Sequence, residues 1–297
     1  MNVLSLFDGM SCGQIALNRA GINYDNYFAS EIKPHAIAVT QKHYPKTIQL
    51  GSVLDVNWFG LPKIDLIFGG SPCKGISRLN QNQEGLEHSE SKLFWQFVRI
   101  IKELNPKYFL LENTHGNKEA TDIITETMGV SPISINSKLV SAQNRPRYYW
   151  TNIPGITQPE DLGITTDFIL NNSPDEAELV SGGRIKWLQN ESGKMSVKKG
   201  YTRINPYPKS GCLTANGHRK WNENYILQDG VYRHLSQNEL EWLQTLPKGY
   251  TSSMSYDDAY DVIGDGWTID VIAHIFRNME QCKPALKSRR KLCDKMV

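Results

Sequence analysis

Short apolar runs alternate with stretches of helical period through the first half of the chain. Apolar runs at Val3–Leu6, Tyr27–Ala29, Ile64–Phe68 and Tyr108–Leu111 are each followed at once by polar residues or by glycine and proline. Apolar runs of this length with such boundaries are typical of buried parallel strands, and the segments between them are long enough for helices. The pattern predicts a doubly wound, mostly parallel Rossmann-like α/β sheet.

Further predicted elements are consistent with this α/β fold. The pattern predicts a third element at Ile48–Val53, a strand with its turn at Gly51 and Ser52. It also predicts a helix at Leu93–Leu104 and a β run at Tyr148–Trp150. The polar stretch 77–92, between the strand ending near Phe68 and that helix, is long enough to be a mobile lid rather than a connector.

The alternation of strands and helices stops between about Ile153 and Ser253, where Gly, Asn, Ser and Pro recur. A glycine turn at Gly264 and Gly266 then precedes an apolar helical stretch that contains Val271. We therefore expect two domains. The first comprises residues 1–153 and 254–297, and the second, residues 154–253, is smaller and irregular.

Composition narrows the class of protein. The 297 residues carry a formal net charge of +2 and are 39% hydrophobic, which is ordinary for a globular chain. No apolar run approaches the roughly 20 residues of a membrane span, and the five cysteines lack metal-ligand spacing. We therefore expect an intracellular, cytoplasmic protein with no membrane and no metal partner.

Basic residues gather at 186–203, 219–220 and 283–295. The first two groups give the second domain a basic face suited to DNA.

The candidate chemistry lies where predicted strands end. Cys73 follows the strand and glycine pair of IDLIFGGSPC, and this setting favours a nucleophile over the usual buried thiol. Glu112 and Asn113 end the strand of KYFLLENT, where Glu112 is expected to donate a proton to a substrate. Alternatively, Glu112 caps a helix or faces water. Strand alternation is expected to place Arg145 and Arg147 on one face, where they would hold an anionic group.

A glycine-containing turn follows the first strand. The residues from Asp8 to Gly13 lead into a predicted helix, and the backbone N–H groups of such a turn are expected to face a ligand. Glu31 lies roughly 20 residues further on, at the end of the second strand, where doubly wound folds place the acceptor for ribose hydroxyl groups. The sequence therefore predicts a nucleoside-containing ligand at this edge.

Six segments in this order resemble the cytosine-C5 DNA methyltransferases over nearly the whole chain. They are SLFDGMSCG, GGSPC, LLENT, QNRPR, RHLSQNELEWLQTLP and VIGDGWTIDV. The short region between QNRPR and RHLSQ is most similar to the branch that includes the animal de novo methyltransferases and phage enzymes. The resemblance implies the S-adenosylmethionine-dependent methyltransferase fold, with residues 154–253 as the target-recognition domain.

The resemblance also implies an activity and its residues. Cytosine in double-stranded DNA would be flipped out and methylated at C5 by S-adenosyl-L-methionine, with S-adenosyl-L-homocysteine as product. The implied catalytic residues are Cys73, Glu112, Asn113, Arg145 and Arg147. The implied cofactor-binding residues are Phe7, Asp8, Gly9, Ser11, Cys12, Gly13, Glu31, Ile32, Ser52, Val53, Pro72, Gly264, Asp265, Trp267 and Thr268. The DNA-binding candidates are Ser77, Lys194, Lys198, Lys199, Arg203, Arg219 and Lys220.

Three positions depart from the family pattern. Ser52 replaces an aspartate that touches the adenine, Thr114 replaces a valine, and Asp265 replaces an asparagine beside the cofactor. Two alternatives stay open: a catalytically silent or cofactor-altered DNA-binding relative, and a tRNA cytosine-5 methyltransferase. A cognate restriction enzyme is a further partner that the resemblance leaves open, and the sequence gives neither the DNA target nor the oligomeric state.

Overall fold

The computed structural model of the protein describes residues 1–72, 93–170, 179–199, 202–205, 207–221, 223–228 and 230–279. The strands are β1 Asn2–Leu6, β2 Asn26–Ser30, β3 Ile48–Gln49, β4 Leu66–Gly70, β5 Tyr108–Thr114, β6 Ile133–Asn136, β7 Pro146–Thr151, β8 Arg203–Asn205, β9 Asn224–Gln228 and β10 Val231–Arg233. The helices are α1 Cys12–Ala20, α2 Pro34–His43, α3 Leu93–Leu104, α4 Lys118–Met128, α5 Thr166–Leu170, α6 Gly182–Gln189, α7 Glu191–Lys198, α8 Gln237–Leu243, α9 Tyr256–Asp265 and α10 Ile269–Phe276.

The described residues form two compact units. The first contains Met1–Ile135, Pro146–Gln158 and the described residues from Asp270 onward. The second contains Asn136–Arg145 and Pro159–Ile269. The boundaries of these units differ from those of the two predicted domains, because residues 136–145 and 254–269 fall in the second unit. The domain boundaries therefore stay a prediction.

A seven-stranded sheet in the order β3-β2-β1-β4-β5-β7-β6 confirms the doubly wound, mostly parallel architecture. Strands β1 to β5 pair in parallel, whereas β7 runs antiparallel to β5. The chain builds outward on one side of β1 and then returns to build on the other side through β4. The order of strands therefore reverses between β1 and β4, which is where open α/β sheets bind ligands.

The core of the first unit explains why these segments fold as they do. Leu4 and Leu6 of β1, Ile67 of β4 and Leu111 of β5 are fully buried in one apolar cluster. Helix α3 adds Phe94, Phe97 and Ile100, all on one face, as its helical period predicts. Each such side chain contributes roughly 1.5–3 kcal/mol on burial. The packing of these side chains fixes the strand ends that carry the candidate chemistry.

Two glycines of the first unit permit a close approach that no other residue would allow. A Cβ on Gly69 would lie 2.5 Å from the carbonyl oxygen of Leu6, its partner strand residue. A Cβ on Gly13 would lie 2.3 Å from the ring of Phe68. Glycine at these positions therefore lets β4 lie against β1, and α1 against β4.

The second unit contains more regular structure than the sequence predicts. A three-stranded sheet of order β10-β9-β8 packs Tyr225 together with Val180 and Leu188. Gly193 lets α7 approach α6, since a Cβ there would lie 2.1 Å from the carbonyl oxygen of Trp187. Residues 154–253 are thus not irregular throughout.

Strand β3 is short, Ile48–Gln49, and Gly51 beyond it takes a left-handed φ of 75°, at the position of the predicted turn. One other local prediction is wrong. Gly264 lies inside α9 and not in a turn, and a Cβ there would lie 2.5 Å from the backbone of Thr214. Glycine at this position serves close packing rather than chain reversal.

Candidate active site

The candidate site lies in the first unit, at the carboxyl edge of the sheet. The turn Phe7–Ser11 follows β1, Glu31 follows β2, Ser71 and Pro72 follow β4, and Glu112 and Asn113 end β5. These segments flank the point where the strand order reverses. The sheet therefore brings the residues predicted at separate strand ends to one edge.

The turn after β1 has an unusual backbone. Phe7, Gly9 and Ser11 have positive φ values of 57°, 59° and 63°. Left-handed geometry at residues other than glycine is strained and is often found at functional sites. The turn is tied to the end of β2, since the N–H of Asp8 donates to Ser30 O at 3.1 Å.

The prediction that the N–H groups of this turn face a ligand is wrong for three of them. Besides the Asp8 N–H, the Gly9 N–H donates to Oε2 of Glu31 at 2.7 Å and the Ser11 N–H donates to the Asp8 carbonyl at 3.1 Å. These groups hold the turn against β2. Helix α1 then starts at Cys12, which is buried.

Glu31, which directly follows β2, also anchors this turn. Its Oε2 accepts from Gly9 N, while its Oε1 accepts from the N–H groups of Ile32 and Lys33 at 2.7 and 2.9 Å. A carboxylate offers about four acceptor positions. These three bonds therefore fix the carboxylate and leave it capacity for one more donor, such as a hydroxyl group. Ile32, beside it, is 70% exposed.

Asp8 is a buried carboxyl group in the same turn. Burial raises the pKa of Asp8 to about 6, and hydrogen bonds from Ser5, Tyr27 and Ser11 limit the rise. The Tyr27 hydroxyl donates to Oδ1 of Asp8 at 2.7 Å. Tyr27 was not among the predicted site residues. A tyrosine in a buried strand needs a partner for its hydroxyl group, and this requirement was a usable signal in the sequence.

Ser52 and Val53 lie beyond β3. The Ser52 hydroxyl accepts from the N–H of Leu54 at 3.2 Å, so Ser52 closes a local turn. Val53 is 5% exposed and belongs to the apolar core. The packing of Val53 therefore accounts for an apolar residue at this position.

The end of β5 carries a buried ion pair. Oε1 of Glu112 lies 3.0 Å from Nε of Arg147, and both side chains are nearly buried. Strand register explains the pair: Glu112 is opposite Tyr149, and Arg147 lies two residues away on the same face of the antiparallel β7. Glu112 is also paired in register with Gly70, the last residue of β4.

Asn113 connects this strand end to the segment after β4. Its side-chain amide donates to the carbonyl and hydroxyl oxygens of Ser71 at 3.3 and 3.1 Å. Its own Oδ1 accepts from the N–H of Thr114 at 2.8 Å. Asn113 therefore fixes the start of the segment that leads through Pro72 to Cys73. Cys73 itself, Ser77 and the predicted lid at 77–92 lie outside the described residues.

The predicted shared face of Arg145 and Arg147 is not what the structure shows. β7 begins at Pro146, so Arg145 precedes the strand and its alternation does not extend to it. The buried Arg145 guanidinium instead donates within the second unit, to the carbonyl oxygens of Leu213, Gly264 and Gly266 at 2.6, 3.1 and 2.8 Å. Arg145 thus holds backbone segments together.

The other predicted cofactor residues lie in this same part of the second unit. Gly264 and Asp265 end α9, and Asp265 is exposed while Trp267 is half-buried. The Thr268 hydroxyl is buried and donates to Oε1 of Gln244 at 2.7 Å. Gln244 also donates to the carbonyl groups of Ile263 and Gly266. The network fixes the segment between α9 and α10.

The predicted DNA-binding residues that the structure describes lie in the second unit. Lys194 is paired with Glu191 at 3.0 Å, and Arg219 with Asp257 at 3.1 Å. Such exposed pairs are weak and leave the cations accessible to phosphate. The guanidinium of Arg203 lies 5.6 Å from the ring centroid of Tyr207. The remaining candidates, which are all exposed, are Lys198, Lys199 and Lys220.

Comparison with solved structures defines the class. The structure of the Entamoeba histolytica methyltransferase EhMeth superposes with a TM-score of 0.74, covering 94% of this chain and 97% of that one at 15% identity. The chain therefore shares the fold of that methyltransferase. The family model of the C-5 cytosine-specific DNA methylases matches residues 1–153 and 134–281. The chain belongs to this family.

Sequence relatives show how much of the chain is shared. The type II methyltransferase M.HhaI of Haemophilus parahaemolyticus is 24% identical over 311 residues, covering 94% of each protein. M.NgoBV of Neisseria gonorrhoeae is 30% identical over 185 residues, covering 55% of this chain and 43% of the relative. The matched region spans about two fifths of the length of several such relatives.

Two features are absent from the described part of the chain. No helix there is long and apolar enough to cross a membrane. Within the same residues, no group of three or more His, Cys, Asp or Glu side chains is arranged to hold a metal ion.

Proposed function

We propose that the protein is a DNA (cytosine-5-)-methyltransferase that uses S-adenosyl-L-methionine. The observation that carries the proposal is the position of Glu112. This buried, ion-paired carboxylate ends β5 in register with Gly70, three residues before Cys73 in the sequence. Addition of a thiolate to a pyrimidine needs a group that can donate a proton to the ring, and a carboxyl group at this strand end is suited to that role.

The residues of the first unit fit the proposed cofactor. Glu31 is a fixed anion with capacity for one hydroxyl donor, and Ile32 offers an exposed apolar surface for a flat base. The carboxyl group of Asp8 adds a second acid beside the same turn, suited to a cationic ligand. Phe7, Gly9 and Ser11 would shape the pocket. When bound, S-adenosyl-L-methionine supplies the methyl group and leaves as S-adenosyl-L-homocysteine.

The chain's own residues would act on a cytosine flipped out of the duplex. The Cys73 thiolate would form a bond to C6 as the C5–C6 double bond opens, while the Glu112 carboxyl group donates a proton to N3 and so neutralises the charge from the addition. Arg147 keeps the Glu112 carboxylate in place, and Asn113 holds the segment that leads to Cys73. C5, now electron-rich, takes up the methyl group. Transfer of the C5 proton to water then re-forms the C5–C6 double bond and expels the Cys73 thiolate, and return of the N3 proton to Glu112 restores the ring.

Double-stranded DNA is the proposed substrate, and the second unit is proposed to contact it as the target-recognition domain. Exposed lysines in this unit would neutralise phosphates, which makes binding weaken as salt increases. Base contacts from the same surface would select the target.

The test is incubation of the purified protein with mixed-sequence duplex DNA and methyl-labelled S-adenosyl-L-methionine, followed by nucleoside mass spectrometry. We expect labelled 5-methylcytosine, abolished in Cys73→Ala and retained in Cys293→Ala, a matched control at a cysteine with no proposed role. Labelling of tRNA but not DNA would favour the tRNA methyltransferase alternative. Binding of DNA without any transfer would favour a catalytically silent or cofactor-altered relative.

A further inference from the structure

Two tryptophans form a ring pair in the second unit. The rings of Trp187, on α6, and Trp221 meet edge to face, with centroids 5.4 Å apart and an interplanar angle of 89°. Trp187 is half-buried, whereas Trp221 is 46% exposed. An indole exposed to this degree leaves a large apolar surface in water. We call these two residues the tryptophan pair.

The backbone that carries Trp221 is held firmly. The buried Tyr225 donates from its hydroxyl group to the carbonyl oxygen of Trp221 at 2.8 Å. Arg184, on α6, donates to the carbonyl of His218 and to Oε1 of Glu223, both at 2.9 Å. These bonds connect both sides of Trp221 to the helix that carries Trp187. The exposed ring is therefore preorganised, which lowers the entropy cost of binding a partner.

The charges around the pair favour an anionic partner. An exposed lysine precedes each tryptophan in the sequence, Lys186 before Trp187 and Lys220 before Trp221. Arg219 adds a third cation, whose partner Asp257 is itself 55% exposed. The nearby Glu223 is 2% exposed and paired with Arg184, so it presents no charge to solvent. Cations beside a fixed aromatic ring match phosphate beside sugar and base.

We propose that Trp221 contacts DNA directly. Its ring would pack on a base or a sugar, while Lys220 would bind the adjacent phosphate. This inference rests on the proposed function, because it takes duplex DNA as the substrate. It adds a contact that is apolar and independent of salt to the basic face predicted from the sequence.

The experiment separates the apolar contact from the electrostatic one. The dissociation constant of the full chain for a labelled mixed-sequence duplex is measured by fluorescence anisotropy at several salt concentrations. Trp221→Ala should weaken binding about tenfold at every salt concentration without changing the slope of log K against log salt. Lys220→Ala should instead reduce that slope by about one.

Two further variants keep the result interpretable. Trp221→Phe retains an aromatic ring and should recover most of the affinity. Phe168→Ala removes a 73% exposed aromatic side chain that is preceded by Asp167, and it should bind like the wild type. The thermal midpoint of each variant checks folding.

The possible outcomes separate a failure of this inference from a failure of the proposed function. Wild-type binding that Trp221→Ala leaves unchanged would overturn the inference alone. A loss in Trp221→Ala that comes with a reduced salt slope, or that Trp221→Phe does not recover, would also overturn it. Absence of duplex binding by the wild type would remove the proposed DNA substrate, and the inference with it.

Discussion

Nε of Arg147 lies 3.0 Å from Oε1 of Glu112, on neighbouring antiparallel strands of the first unit. Because both side chains are nearly buried, water compensates their charges only weakly, and each charge contributes to compensating the other. The pair places a carboxylate with a fixed orientation at the sheet edge.

Removal of the Arg147 charge should therefore be costly. Arg147→Met leaves the Glu112 carboxylate buried without this cation, and we expect the free energy of unfolding to fall by about 3 kcal/mol. Glu112→Gln in the same background should recover part of the loss. Urea unfolding of the wild type, both single variants and the double variant gives the coupling energy between the two residues.

The exposed pair of Arg99 and Glu103 on α3 is the matched control, since its side chains are 40% and 41% exposed. Its coupling energy should stay below about 0.5 kcal/mol. Equal coupling in the two pairs would mean that burial does not strengthen the Glu112–Arg147 interaction.

The doubly wound class and the positions of several strands along the chain were predictable because local patterns determine them. The apolar runs gave β1, β2, β4 and β5, and the helical period gave α3 at Leu93–Leu104. The role of Arg145 was not predictable in this way, because it depends on carbonyl groups more than 60 positions away along the chain. The need for a glycine at position 264, inside a helix, likewise comes from contact with Thr214, which is distant along the chain.

The same distinction holds within the candidate site. The sequence placed Glu31 at the end of the second strand correctly, but it could not show that Gly9 and Lys33 donate to its carboxylate. Such partners depend on three-dimensional turn geometry and not on residue order.

Glu31→Gln should test whether Glu31 holds the proposed cofactor. The amide keeps the size of the side chain but loses the charge and one acceptor oxygen. Because a hydrogen bond to a charged group contributes about 1.5–3 kcal/mol, we expect S-adenosyl-L-homocysteine to bind roughly 10–100-fold more weakly by calorimetry. Glu103→Gln, at an exposed position on α3, should bind as the wild type does. An unchanged dissociation constant in Glu31→Gln would remove Glu31 from the cofactor site.

Gly69→Ala should destabilise the contact between β1 and β4. The added Cβ would lie 2.5 Å from the carbonyl oxygen of Leu6, at the last residue pair between these parallel strands, so one strand must shift. We expect a loss of about 1–3 kcal/mol in the free energy of unfolding. Gly60→Ala is the matched control, because a Cβ there would meet nothing within 4 Å. Equal stability of the two variants would contradict the close packing.

Asp8 should make the stability of the protein depend on pH. Its pKa is raised by burial from 3.8 to about 6 in the folded state. Between these values the folded state binds more protons than the unfolded state, so stability is greatest at low pH and falls as the pH rises through 6. For the protein without cofactor, the contribution of Asp8 to this fall between pH 5 and pH 7 should be about 1–2 kcal/mol.

Urea unfolding of the wild type and Asp8→Asn at the two pH values isolates this contribution, because other groups titrate in both proteins. The asparagine still accepts a hydrogen bond from Tyr27 but does not ionise. Tyr27→Phe removes a hydrogen bond that lowers the pKa of Asp8, so its pH-dependent loss should move to higher pH. If Asp8→Asn loses as much stability as the wild type between pH 5 and pH 7, the carboxyl group of Asp8 does not titrate in this range.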